Sequence, residues 1–66
     1  MTPKEALRSW HWLNEALRGC DEAYALSLMR YERNHENRAW AILRIHSRIN
    51  RLRRARERET MLEESR

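Results

Sequence analysis

The side chains able to carry out covalent or metal chemistry in this 66-residue chain are few. His11, His35, His46 and Cys20 are the candidate metal ligands and nucleophiles. A zinc site is built from histidines at i, i+4 on one helix face or from closely spaced cysteines, and no pair here has either spacing. A single Gly rules out a glycine-rich phosphate loop. Adjacent carboxylates occur at Glu63 and Glu64, in a segment expected to fray. Catalysis also needs a pocket that excludes water, and two helices enclose little interior. The chain therefore reads as a protein without enzymatic activity, cofactor, metal or small-molecule substrate.

Recognition chemistry is richer. Thirteen of the 14 basic residues are Arg, and eight of them lie between Arg38 and Arg58 with one Glu, a local net charge of +7. Residues 1–37 carry five basic and six acidic groups and residues 59–66 carry one and three, so the remainder is weakly acidic. On a helix, Arg44, Arg48, Arg51, Arg54 and Arg58 share one face. Such a ladder attracts a phosphate backbone or an acidic protein groove. The plainer reading is a solvated outer face balanced by Glu57, Glu59, Glu63 and Glu64. No RNA-recognition signature, zinc-finger spacing or helix-turn-helix accompanies the ladder. A basic region beside a zipper is the bZIP arrangement, but here the zipper-like part comes first and is short, so that family is not adopted.

A second candidate contact face is Arg8, His11 and Trp12, polar and aromatic groups on the side of the first helix away from its apolar stripe. Exposed Trp and Arg are enriched at binding hot spots. Burial of Trp12 in an oligomer accounts for it equally well. Trp10, Tyr24 and Tyr31 lie on apolar stripes and read as core, and Trp40 as a docking position for the first helix.

The elements that must position these groups follow from punctuation and period. One Gly and one Pro leave no turns for a multi-stranded sheet, so the fold is all-α. Thr2-Pro3-Lys4-Glu5 is a capping box with Pro in the first turn. Gly19 supplies a left-handed stop. A short helix over 3–18 is expected, with Ala6, Leu7, Trp10, Leu13, Leu17 and Cys20 on one arc. Asp21 caps a second helix, expected to run from 22 to 62. Its seam steps by fours and threes through Tyr24, Leu28, Tyr31, His35, Arg38, Ile42, Ile45, Ile49, Leu52 and Arg56. Asn34-His35-Glu36-Asn37 is the weak point, where either Asn can end or cap a helix. The unbroken rod is preferred, because Asn and His each cost only about 0.7 kcal/mol in a helix.

Residues 1–66 thus form a single helical-hairpin domain with a frayed 59–66 tail. An unbroken rod of about 60 Å exceeds what a partner helix of about 24 Å can cover. The exposed seam then calls for a homodimer, a four-helix or coiled-coil arrangement joined through Leu28, Tyr31, His35, Ile42, Ile45, Ile49 and Leu52. Small dimeric hairpins of this kind are similar to plasmid and bacteriophage accessory proteins, an analogy of fold alone. A lone cysteine and the lack of a membrane span or signal segment are expected of a cytoplasmic protein without a membrane partner. The functional expectation is a regulatory or adaptor protein, such as an inhibitor. It would bind itself and a partner protein through Arg8, His11 and Trp12 or through the Arg44–Arg58 ladder. Nucleic acid binding through the same ladder is the alternative, and a structural subunit of a larger assembly is the second alternative.

Overall fold

The computed structural model describes residues 2–65, which form four helices and no strand: α1 (Pro3–Ala6), α2 (Trp10–Leu17), α3 (Glu22–Asn34) and α4 (Ala39–Glu64). Met1 and Arg66, the last residue of the expected 59–66 tail, lie outside the described residues. The all-α class stands, but each of the two expected helices is interrupted once.

The first interruption divides the expected 3–18 helix at residues 7–9. The Thr2 hydroxyl accepts from the Glu5 amide at 3.3 Å and donates to the Glu5 carboxylate at 2.9 Å, which starts α1. Ser9 then adopts an extended backbone and its hydroxyl accepts from the Trp12 amide at 3.3 Å, so α2 begins with a cap of its own. Serine competes for backbone donors in this way and favours helix starts over helix interiors. The break leaves the Leu7 carbonyl, which an unbroken helix would give to residue 11, free to accept from Arg38 Nη2 at 2.7 Å.

The second interruption corrects the expected 22–62 rod. Asp21 caps α3 through the Tyr24 amide at 2.8 Å, as its position predicts. The helix ends at Asn34, where the His35 and Asn37 amides both donate to the Glu32 carbonyl, at 3.3 and 2.6 Å. Asn37 takes φ +49°, a left-handed value that Asn tolerates better than most residues. The Asn positions named as a weak point therefore do break the helix. The propensity cost of continuing is small, and what decides for the break is the burial that a hairpin of α3 against α4 provides.

That hairpin consumes most of the expected seam. Leu28, Ile45 and Ile49 lie in the chain's own core with Ala6, Leu7, Leu13, Leu17, Ala25, Met29 and Ala41, while Tyr31, Ile42 and Leu52 pack half-buried against it. His35 is exposed at the turn, its ring stacked on Tyr31 at 3.9 Å and its Nδ1 donating to the Tyr31 carbonyl at 2.8 Å. The inference of a homodimer from an uncovered seam rested on an unbroken rod, and it loses that support. α1 packs on α2 and α3, and α2 packs on α4. At about 39 Å, α4 is twice the length of α3, which raises the radius of gyration to 13.4 Å. A compact chain of this size would have about 11 Å. No described helix is long and apolar enough to cross a membrane.

Candidate functional site

Arg38 organises the end of the molecule where the helices meet. Glu32 points from the buried face of α3 and is 1% exposed. Arg38 Nε and Nη2 donate to its carboxylate at 2.9 and 2.7 Å, and the same Nη2 reaches the Leu7 carbonyl. Its guanidinium also lies 4.8 Å from the centre of the Trp40 ring. The hydrogen bond to Glu32 holds the Arg38 pKa above its ordinary range, aided by the charges of Glu32 and Glu36 and opposed by burial. The turn at 35–38 thus returns the chain so that Arg38 faces Glu32. Sequence reading placed Arg38 at a seam position and missed this pairing. The available signal was Glu32 itself, an acid on the arc of Ala25, Leu28 and Met29.

Trp10 and Trp40 pack beside this latch with ring centres 6.0 Å apart. From there α2 and α4 run side by side in the same direction. The next contact down the pair is Arg44 Nε to Asn14 Oδ1, at 2.6 Å. Beyond it opens a cleft of about 610 Å³ between Asn14, Leu17, Arg18 and Gly19 on one side and Arg44, Ser47, Arg48 and Arg51 on the other. Gly19, at φ +70°, leaves its edge of the cleft clear, with nothing within 4 Å of where a Cβ would stand. A second hollow of about 390 Å³ continues along α4 through Ser47, Asn50, Arg51, Arg54, Ala55 and Arg58. All five arginines of the expected ladder therefore line these two adjoining hollows, which share Ser47 and Arg51 and together form the groove, with Arg18 joining the first from the end of α2.

The groove is electropositive because its charges are not spent inside the chain. Among the described residues the ion pairs are Arg38 with Glu32, Arg53 and Arg56 with Glu22, and Arg18 with Glu15. None involves Arg44, Arg48, Arg51, Arg54 or Arg58, so the expected balance by nearby glutamates is not made by contact. Arg48 Nε is buried without a hydrogen-bond partner among the described residues. An unsatisfied buried donor of this kind costs about 1–3 kcal/mol.

The other expected contact residues lie apart from the groove. Arg8 and His11 are exposed, and Trp12 is 41% exposed, its ring edge-on to His11 at 5.4 Å. At 100° per residue Trp12 lies on nearly the opposite side of α2 from Asn14, so the structure separates the two surfaces. His46 faces Asn50 at 3.4 Å, and Cys20 is a free, half-buried thiol packed against the core. No group of three or more His, Cys, Asp or Glu suited to a metal ion occurs among the described residues. The sequence matches no protein-family model, no curated protein and no solved structure.

Proposed function

We propose that this chain is a small non-enzymatic regulatory protein that binds the phosphate backbone of nucleic acid through the arginine-lined groove of α2 and α4. The observation that carries the reading is five arginines of α4 on one groove without a carboxylate partner among the described residues, one of them with a buried Nε that is likewise unpaired among them. A phosphate offers several acceptor oxygens, and arginine meets them with a planar fork of donors. Exposed like charges repel one another, and a polyanion relieves that repulsion while releasing its counterions. A cytoplasmic setting goes with this reading, since a single free thiol suits a reducing compartment.

The test is anisotropy of a labelled oligonucleotide against the full chain at 50 and 200 mM salt. Four phosphate contacts should weaken binding by about 10²-fold across that range. The triple change Arg48→Gln, Arg51→Gln and Arg54→Gln should remove most of the affinity with the helix content unchanged. Binding that ignores both salt and the triple change would overturn the proposal.

A second surface favours a protein contact. Trp12 is exposed beside His11 on the far side of α2 from the groove, the combination of aromatic and polar groups found at hot spots. A Trp12→Ala variant that keeps oligonucleotide affinity and melting temperature but fails to retain a protein partner would assign that face to an adaptor role.

A further inference from the structure

Trp40 stands at the head of the arginine ladder. At 100° per residue, Trp40 and Arg58 point in nearly the same direction, and Arg44, Arg51 and Arg54 fall within about 40° of that line. The row from Trp40 to Arg58 is about 27 Å long. Trp40 supports Trp10 of α2, whose ring is 6.0 Å away, while one face of Trp40 carries the Arg38 guanidinium. Trp10 is 55% exposed. Beyond the Arg44–Asn14 contact that closes the head of the groove, the arginine row thus ends at two indoles packed side by side with 57° between their planes, one of them braced by an arginine.

Duplex DNA does not use such a surface, because its bases are stacked on one another and present only their edges. A single strand does: its phosphates follow a basic track and its unpaired bases stack on aromatic side chains. Resting on the phosphate-binding reading above, we infer that the ligand is single-stranded nucleic acid. The strand lies along Arg44–Arg58, and a base at one end stacks on Trp10 over Trp40. The aromatic pair supplies what the arginines lack, since a row of point charges alone does not discriminate a single strand from a duplex. At the stacked spacing of 3.4 Å per nucleotide, the 27 Å row accommodates no more than about eight nucleotides. A twelve-nucleotide probe therefore saturates it.

The experiment compares the intact chain with twelve-nucleotide oligo(dT), twelve-nucleotide oligo(U) and a twelve-base-pair duplex at one salt concentration, by probe anisotropy and by tryptophan fluorescence. The expected result is single-strand binding about tenfold tighter than duplex binding, with quenched indole emission. Trp10→Leu should reduce single-strand affinity about tenfold and leave duplex binding unchanged. Trp12→Leu, on the other side of α2, should leave both affinities as they are. Equal affinity for single strand and duplex in the unaltered chain overturns the inference and leaves phosphate binding standing. That arm needs no variant to fold. Unchanged single-strand affinity in a folded Trp10→Leu protein overturns it as well. If no oligonucleotide binds and polyglutamate does, the phosphate-binding reading fails together with the inference.

Discussion

Arg38 and Arg48 belong to the same run of basic residues, and the fold treats them in opposite ways. Arg38 has three partners in its own chain: the Glu32 carboxylate, the Leu7 carbonyl and the face of Trp40. Arg48 has its Nε buried with none among the described residues. Between them stands a third kind, Arg53 and Arg56, which hold Glu22 at the start of α3 from largely exposed positions. The difference lies in what surrounds each guanidinium. Where two helix breaks leave a carbonyl and a buried acid uncovered, an arginine closes the structure. Where α4 faces only the short α2 and then solvent, the arginines keep their charge for something outside the chain. Arginine count alone cannot separate the two roles, whereas partner geometry does.

The comparison is most easily broken at the latch. Arg38→Ala leaves Glu32 buried and unpaired, which costs about 3–5 kcal/mol, against about 3–10 kcal/mol of total stability for a domain of this size. Urea unfolding followed by circular dichroism should find the unfolding free energy lowered by about 3–5 kcal/mol. A loss below about 1 kcal/mol, the range of an exposed pair, would remove the distinction drawn here. Glu32→Leu combined with Arg38→Met should recover most of the loss, since a packed apolar pair can replace a buried ion pair. The raised Arg38 pKa means that on the alkaline side the arginine's contribution is fully present below the ordinary arginine range and is lost only as pH rises beyond it.

Next comes the turn that brings the latch together. Asn37→Ala puts a residue that resists positive φ where Asn sits at +49°, at a cost of about 1–2 kcal/mol. The same change favours a continuous helix from α3 into α4, so light scattering should detect a larger dimer fraction in the variant than in the parent. A parent and variant identical in mass and melting would show that the turn does not depend on Asn37. A smaller effect is expected at the exposed pairs. Glu22→Gln should cost about 0.5 kcal/mol at low salt and less at high salt, as screening predicts. Last is Arg48→Gln, which removes the buried Nε that is unpaired among the described residues and so should leave stability equal to the parent or up to about 1–3 kcal/mol higher while oligonucleotide affinity falls. A large loss of stability there would move Arg48 into the same class as Arg38.

Much of this architecture is legible in the sequence because it depends on local chemistry. Thr2, Gly19 and Asp21 each act over three or four residues, and all three perform the roles their types suggest. Ser9 was equally local, yet the apolar arc on either side of it concealed the break, because Leu7 and Leu13 are buried whether or not the helix continues. The seam from Leu28 to Leu52 was ambiguous for a different reason. Its period states that those residues need burial and not whether the covering face comes from the same chain or another. The turn at 35–38 decides that, through contacts such as Arg38 to Leu7 that join residues far apart in sequence. The arginine ladder was visible from spacing. Trp40 reads from spacing only as a docking position for the first helix, and the ladder's relation to Trp10 and Asn14 required the docking of α2 beside α4.

The length of α4 has a hydrodynamic consequence. A body of 45 × 18 × 15 Å experiences more friction than a sphere of equal mass, so it leaves a sizing column early and sediments slowly as a monomer. Its tumbling is anisotropic too. Amide vectors along α4 run nearly parallel to one another, along the helix axis. Spin relaxation should therefore divide the backbone by orientation, even where every segment is equally rigid.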